Sequence, residues 1–116
     1  MNDFNDIIQK LIEFRKERDR EQFHTPKNLA ASISIESSEL LEIFQWARHE
    51  KEIEKICIEK QIEIKEEIAD ILSYLFLLAK DLNIDIKDAM NNKIEKNKAK
   101  YPVEKSKGIS TKYNEL

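Results

Sequence analysis

Residues 36–46 read ESSELLEIFQW, and residues 66–79 read EEIADILSYLFLLA. Both stretches space their apolar residues three and four apart, the period of a helix with one face turned inward. With about 100° per residue and Glu36 as reference, Leu29, Ile33, Leu40, Ile43 and Ala47 fall within about 60° of it. Glu39 stands one turn further along, so Glu36 and Glu39 share the apolar face while Glu42 points away. The second stretch repeats the pattern. Ile64, Ile71, Tyr74, Leu78 and Leu82 lie on the side of Glu67, Asp70 follows one turn on, and Glu63 is a fifth acid near that face. Burying an unpaired carboxylate costs several kcal/mol. Two helices that each turn an acid pair inward therefore demand a compensating charge.

Working outward, the rest of the chain also reads as helix. There is one glycine, Gly108, and two prolines, Pro26 and Pro102, among many Ile, Leu, Lys and Glu residues. Phe4, Ile7, Ile8, Leu11, Ile12 and Phe14 mark a first helix over 3–19. Thr25 followed by Pro26 is a strong helix start, opening a second helix over about 26–48. Residues 50–60 read as a short helix or an ordered loop. A third long helix covers about 60–82, and a fourth about 86–99 stops before Tyr101-Pro102, because a residue preceding proline avoids helical angles. The expected fold is all-α, a four-helix bundle. Residues 1–102 form the helical domain, and 103–116 form an extended C-terminal tail belonging to it. The third helix is apolar on nearly all sides from Ile68 to Ala79, which suits burial against several neighbours in an oligomer.

Composition narrows the function. The 116 residues carry 20 basic and 23 acidic side chains, a formal net charge of -3, which argues against a general nucleic-acid binder. The single Cys57 excludes an internal disulfide and a thiolate zinc cluster, and points to a reducing cytoplasm. The opening MNDFNDIIQK has no basic stretch followed by an apolar block, so no secretory signal is expected. The longest apolar run is too short to span a bilayer, so no membrane partner is expected either.

For any one glutamate in such a composition, a solvated surface position is the ordinary reading. Four acids on two apolar faces favour a divalent cation instead. A ligand set of oxygens alone, with no His or Cys on those faces, suits Mg²⁺ or Mn²⁺ rather than zinc. Mg²⁺ completes its shell with water and substrate phosphates, which implies a phosphate-bearing ligand. A di-iron carboxylate bundle would need Glu-x-x-His pairs, and there are none. The competing reading is a non-catalytic helical oligomerisation module whose acids form interhelical salt bridges with lysines. Such bridges need a cation opposite, and the acid faces offer only Lys60.

The pairs Glu36-Ser-Ser-Glu39 and Glu67-Ile-Ala-Asp70 resemble the ExxE…ExxD arrangement of the MazG-like all-α nucleotide pyrophosphohydrolases. QFHTPKNLA, ELLEIFQW, EEIADILSYL and NKAKYPVEKSKGISTKYNEL are similar to the dCTP pyrophosphatase-like branch of that family, over roughly residues 3–116. The resemblance implies a Mg²⁺-dependent homo-oligomer, a dimer or tetramer, that cleaves a nucleoside triphosphate to the monophosphate and pyrophosphate. The substrate expected from it is dCTP or a modified pyrimidine nucleotide.

Under that resemblance Glu36, Glu39, Glu67 and Asp70 are the metal ligands, and Glu36 or Glu39 orients or deprotonates the attacking water. Lys93, Asn97 and Lys100 share one face of the last helix and, with Tyr101, are expected to contact phosphate or sugar. Trp46 and Tyr74 are aromatic walls for the base, with Phe23 and His24 as a cap. Lys107, Lys112 and Tyr113 in the tail are expected to close over the phosphates. The pattern departs at Leu11 and Arg20, where close dCTP-specific relatives carry a histidine and a tryptophan for base recognition.

Overall fold

The computed structural model describes residues 4–103, and these residues are helical without a strand. Five α-helices follow one another: α1 (Asn5–Glu17), α2 (Pro26–Phe44), α3 (Glu50–Glu59), α4 (Gln61–Asp81) and α5 (Ile86–Lys100). A single 3-10 turn, Glu21–Phe23, lies between α1 and α2. The charged segment after Arg48 is thus a full helix of ten residues, bringing the helices to five among the described residues rather than four.

Local chemistry sets the ends. The Thr25 hydroxyl accepts the Asn28 backbone N–H at 3.1 Å, and Pro26 occupies the first helical position of α2, where its missing N–H is no loss. Asp85 does the same for α5, accepting from the Asp88 N–H at 3.0 Å. Asn83 adopts φ 57° just past α4, a left-handed residue of the kind that ends many helices.

The second helix stops at Phe44, four residues short of the expected end. The Ala47 N–H turns back to the Phe44 carbonyl at 3.0 Å. His49 then becomes the cap of α3: it is extended, and its side chain accepts from the Glu52 N–H. The Glu52 carboxylate accepts the Arg48 N–H at 2.7 Å. Residues 45–49 are spent on starting α3, and a histidine cap is a weak signal in sequence.

The described chain divides into two compact units, one up to Asn83 and one from Ile84 onward. In the first, α2 packs most extensively along α4, α1 lies against α4, and α3 touches both α4 and α2. Leu29 of α2 and Phe76, Leu77 and Ala79 of α4 are the buried core. The Phe4 and Phe76 rings meet with centroids 5.0 Å apart. A buried ion pair also joins α1 to α4: the Arg15 guanidinium donates two hydrogen bonds to Asp81, at 2.8 and 2.9 Å. The second unit is built on α5, whose Glu95 and Lys98 pair at 3.2 Å. No described helix is long and apolar enough to cross a membrane.

Candidate functional site

Side chains three apart on a helix stack on one face, so α4 presents Glu67 and Asp70 together. Packing of α2 along α4 brings Glu36 opposite them. One carboxylate oxygen from each of Glu36, Glu67 and Asp70 lies within 4.8 Å of the other two. Glu36 and Glu67 are half-buried and Asp70 is exposed. The Oε2 atoms of Glu36 and Glu67 are shielded from solvent, and no described group donates to either.

Three acids this close cannot all stay ionised at low cost. The Glu36 carboxyl is pushed up to about 7, first by a shared hydrogen bond with the Glu67 carboxyl, then by burial, then by a hydrogen bond and repulsion from Glu39. Two ionised carboxylates are both acceptors, so a hydrogen bond between them exists only while one of them holds a proton. Without a proton or a cation between them they have nothing to bind. The donor set is oxygen only, partly buried and open on the Asp70 side, which fits a hard divalent ion that keeps some positions for water and phosphate.

Glu39 is exposed and stands next to Glu36, outside the tight trio. With Glu42, Ile43, Lys60, Glu63 and Glu67 it lines a shallow hollow of about 480 Å³. Glu67 therefore faces both this hollow and the trio.

Glu36 and Asp70 also border a deeper cleft of about 410 Å³, whose lining includes Leu11, Phe14, Arg15, Arg18 and Arg20 on one side and Ser73, Tyr74 and Leu77 on α4. His24, at the entrance to α2, completes it. The His24 and Tyr74 rings meet edge to face, 6.2 Å between centroids. Burial pushes the imidazole down, and the Arg15 and Arg20 charges push it further, against a smaller opposing pull from Asp81. Its usual value is 6.5, so the ring is neutral at physiological pH.

Of the residues expected from sequence, Glu36, Glu67, Asp70, His24 and Tyr74 thus come to one place. Trp46 does not join them: it follows α2, is 82% exposed and lines neither cavity. Lys93, Asn97 and Lys100 lie on α5 and Tyr101 just beyond it, in the second unit, with Lys100 and Tyr101 half-buried. Lys107, Lys112 and Tyr113 lie outside the described residues. Arg15 and Arg18 were not anticipated. Their signal was present, since Leu11, Arg15 and Arg18 fall at i, i+4 and i+7 on one face of α1; arginine on an apolar face is easily read as solvated.

The sequence model of the MazG-like family matches residues 31–116. The dCTP pyrophosphatase 1 of Mus musculus is 38% identical over 112 residues, and that of Homo sapiens is 37% identical over the same length. In both cases the match takes in 96% of this chain and 66% of the relative, so the chain spans just under two thirds of their length. The crystal structure of a pyrophosphatase from Archaeoglobus fulgidus superposes with a TM-score of 0.84 at 45% identity, covering 88% of this chain and 94% of that one.

Proposed function

The chain belongs to the MazG-like family, and from that premise we propose that it is a Mg²⁺-dependent nucleoside triphosphate pyrophosphohydrolase. Its substrate is a (d)NTP, with dCTP or a modified pyrimidine nucleotide taken from the name of the curated relatives, and its products are the monophosphate and pyrophosphate. The observation that carries the proposal is the convergence of Glu36, Glu67 and Asp70 with two shielded, unsatisfied oxygens at the margin of a cleft.

In this reading Glu36, Glu67 and Asp70 hold Mg²⁺ (or Mn²⁺), and Glu39 completes the acid cluster beside them. The ion, when bound, neutralises phosphoryl charge and favours a water nucleophile at neutral pH. Water attacks the α-phosphorus, the bond from that phosphorus to the bridging oxygen breaks, and pyrophosphate leaves. Glu36 or Glu39 orients the water and takes up its proton. Tyr74 and His24 border the cleft for the base and keep water from its inner wall. Trp46, which stands outside the cleft on this chain, keeps the base-stacking role implied by the family likeness, and Lys93, Asn97, Lys100 and Tyr101 the phosphate- and sugar-contacting ones.

The enzyme works as a homo-oligomer in a reducing cytoplasm, which suits the free, exposed thiol of Cys57. Large apolar side chains left open on the chain alone, such as Leu41 at 67% and Leu72 at 43% exposure, support assembly with further copies. None of the ion pairs among the described residues uses Glu36, Glu39, Glu67 or Asp70, which speaks against a purely structural salt-bridge role for these acids.

The test is to incubate the protein with each of the eight common nucleoside triphosphates, with and without Mg²⁺, and to quantify monophosphate and pyrophosphate. Equimolar release of both products, abolished by chelation, is expected. Release of single phosphates, or no release from any nucleotide, would overturn the reading.

A further inference from the structure

Three arginines line the cleft, and they are not equivalent. Arg15 is committed to Asp81 through two hydrogen bonds. Arg18 lies over the Phe14 ring, 3.8 Å from its centroid, and donates to the Phe14 carbonyl. The Arg20 guanidinium meets no carboxylate, carbonyl or ring among the described residues, and Arg20 is exposed to an incoming ligand. Its backbone is nonetheless held. The Arg20 N–H donates to the Arg15 carbonyl and the Arg20 carbonyl accepts from Phe23, both at 3.0 Å. Asp19, at φ 52°, turns the chain to make this possible.

Resting on the nucleotide-hydrolysing reading above, we propose that Arg20 determines base specificity, offering its guanidinium fork to a base edge with two adjacent acceptors. Cytosine and 6-oxopurine nucleotides are then preferred over those of adenine, thymine and uracil. The phosphates belong with the acids and their cation, on the α2 and α4 side. The side of the cleft formed by α1 and the following turn combines Leu11 and the Phe14 ring with guanidinium groups, and Tyr74 faces it from α4. A flat base gains from such walls by stacking, whereas a pyrophosphate would lose its hydration there.

Guanidinium donates in a rigid planar fork and accepts nothing. Cytosine presents O2 beside N3, and guanine and hypoxanthine present O6 beside N7, the edge that arginine reads most often. Uracil and thymine alternate acceptor, donor, acceptor. Adenine places an amino donor beside each of N1 and N7. Only the first group satisfies both arms of the fork.

dCTP and dUTP differ at that edge and almost nowhere else, so they are the discriminating pair. The wild-type protein is expected to favour dCTP over dUTP in kcat/KM by about 10-fold or more, the range for a bidentate arginine contact. Arg20→Ala should raise KM for dCTP by a similar factor, leave kcat within about twofold and bring the ratio near one. Arg20→Lys keeps the charge without the fork and should lose the selectivity like alanine. Unchanged thermal midpoints for both variants verify the fold. Indifference of the wild type to the two bases, a ratio that survives Arg20→Ala, or a ratio preserved by Arg20→Lys would each overturn the proposal. If no nucleotide is hydrolysed, the hydrolytic reading falls, and calorimetric binding of dCMP against dUMP decides this one. Tighter dCMP binding that Arg20→Ala removes upholds the proposal, and any other binding result overturns it.

Discussion

Glu36 is the most perturbed acid of the cluster, because its carboxyl is both half-buried and crowded by Glu67 and Glu39. In the metal-free folded protein it keeps its proton up to about 7, whereas in an unfolded chain it releases it near 4.5. A raised folded value contributes stability that is fully present below 4.5 and is lost as pH rises through 7. The thermal midpoint of metal-free protein should therefore fall between pH 5 and pH 8, and saturating Mg²⁺ should flatten that trend by replacing the proton. Scanning calorimetry with EDTA and with Mg²⁺ checks this; a metal-free midpoint that rises over the same interval would contradict it. Asp70 gives the complementary case. Asp70→Asn removes one acid from the trio while keeping its shape, so turnover should drop on the order of 10²–10³-fold, the usual loss when one electrostatic stabiliser is deleted. The metal-free fold should be at least as stable as before, since repulsion is relieved. Steady-state rates paired with melting curves read both effects, and wild-type turnover in the variant would remove Asp70 from the site.

At the scale of the element, the cleft depends on how α1 is held to α4. Arg15 has a side chain only 10% exposed and Asp81 27%, and their pairing is bidentate. Cutting one partner of a well-buried pair costs about 3–5 kcal/mol, because the survivor is left charged and unpaired. The partial exposure of Asp81 lowers that figure, so Asp81→Ala should cost about 2 kcal/mol, visible as a lower urea midpoint. The double variant Arg15→Met/Asp81→Ala should recover part of the loss by removing the orphaned charge, and a double variant less stable than Asp81→Ala would show that the pair is not what holds α1. Much at this scale could be read in advance. Thr25-Pro26 marked the start of α2, and Tyr101-Pro102 the end of α5. What could not be read was the break after Phe44, since it rests on His49 acting as a cap and on Glu52 reaching back to the Arg48 N–H. Neither contact has a strong pattern in sequence.

For the whole molecule, the unusual feature is how little of α4's apolar surface the single chain covers. Ile68, Leu72 and Leu75 remain 46%, 43% and 40% exposed, and Leu41 on α2 is 67% exposed. A soluble monomer rarely leaves so many large apolar side chains open, and a second copy is the natural cover. Sedimentation analysis should therefore find a dimer or tetramer. Leu72→Glu should shift the population towards smaller species and lower the thermal midpoint in a concentration-dependent way; a monomer at micromolar concentration in the wild type would refute this.

The acid pairs, the helical period and the absence of histidine or cysteine ligands were local properties. Covalent spacing along a helix decides which side chains share a face, so Glu36 with Glu39 and Glu67 with Asp70 could be paired from sequence alone. Which acids actually meet was decided by packing across elements. α2 against α4 selected Glu36, Glu67 and Asp70 and left Glu39 at the edge, and α1 against α4 delivered arginines to a cleft that no linear pattern announces. Distances between residues far apart in the chain depend on how side chains interlock, and a one-dimensional period does not carry that information.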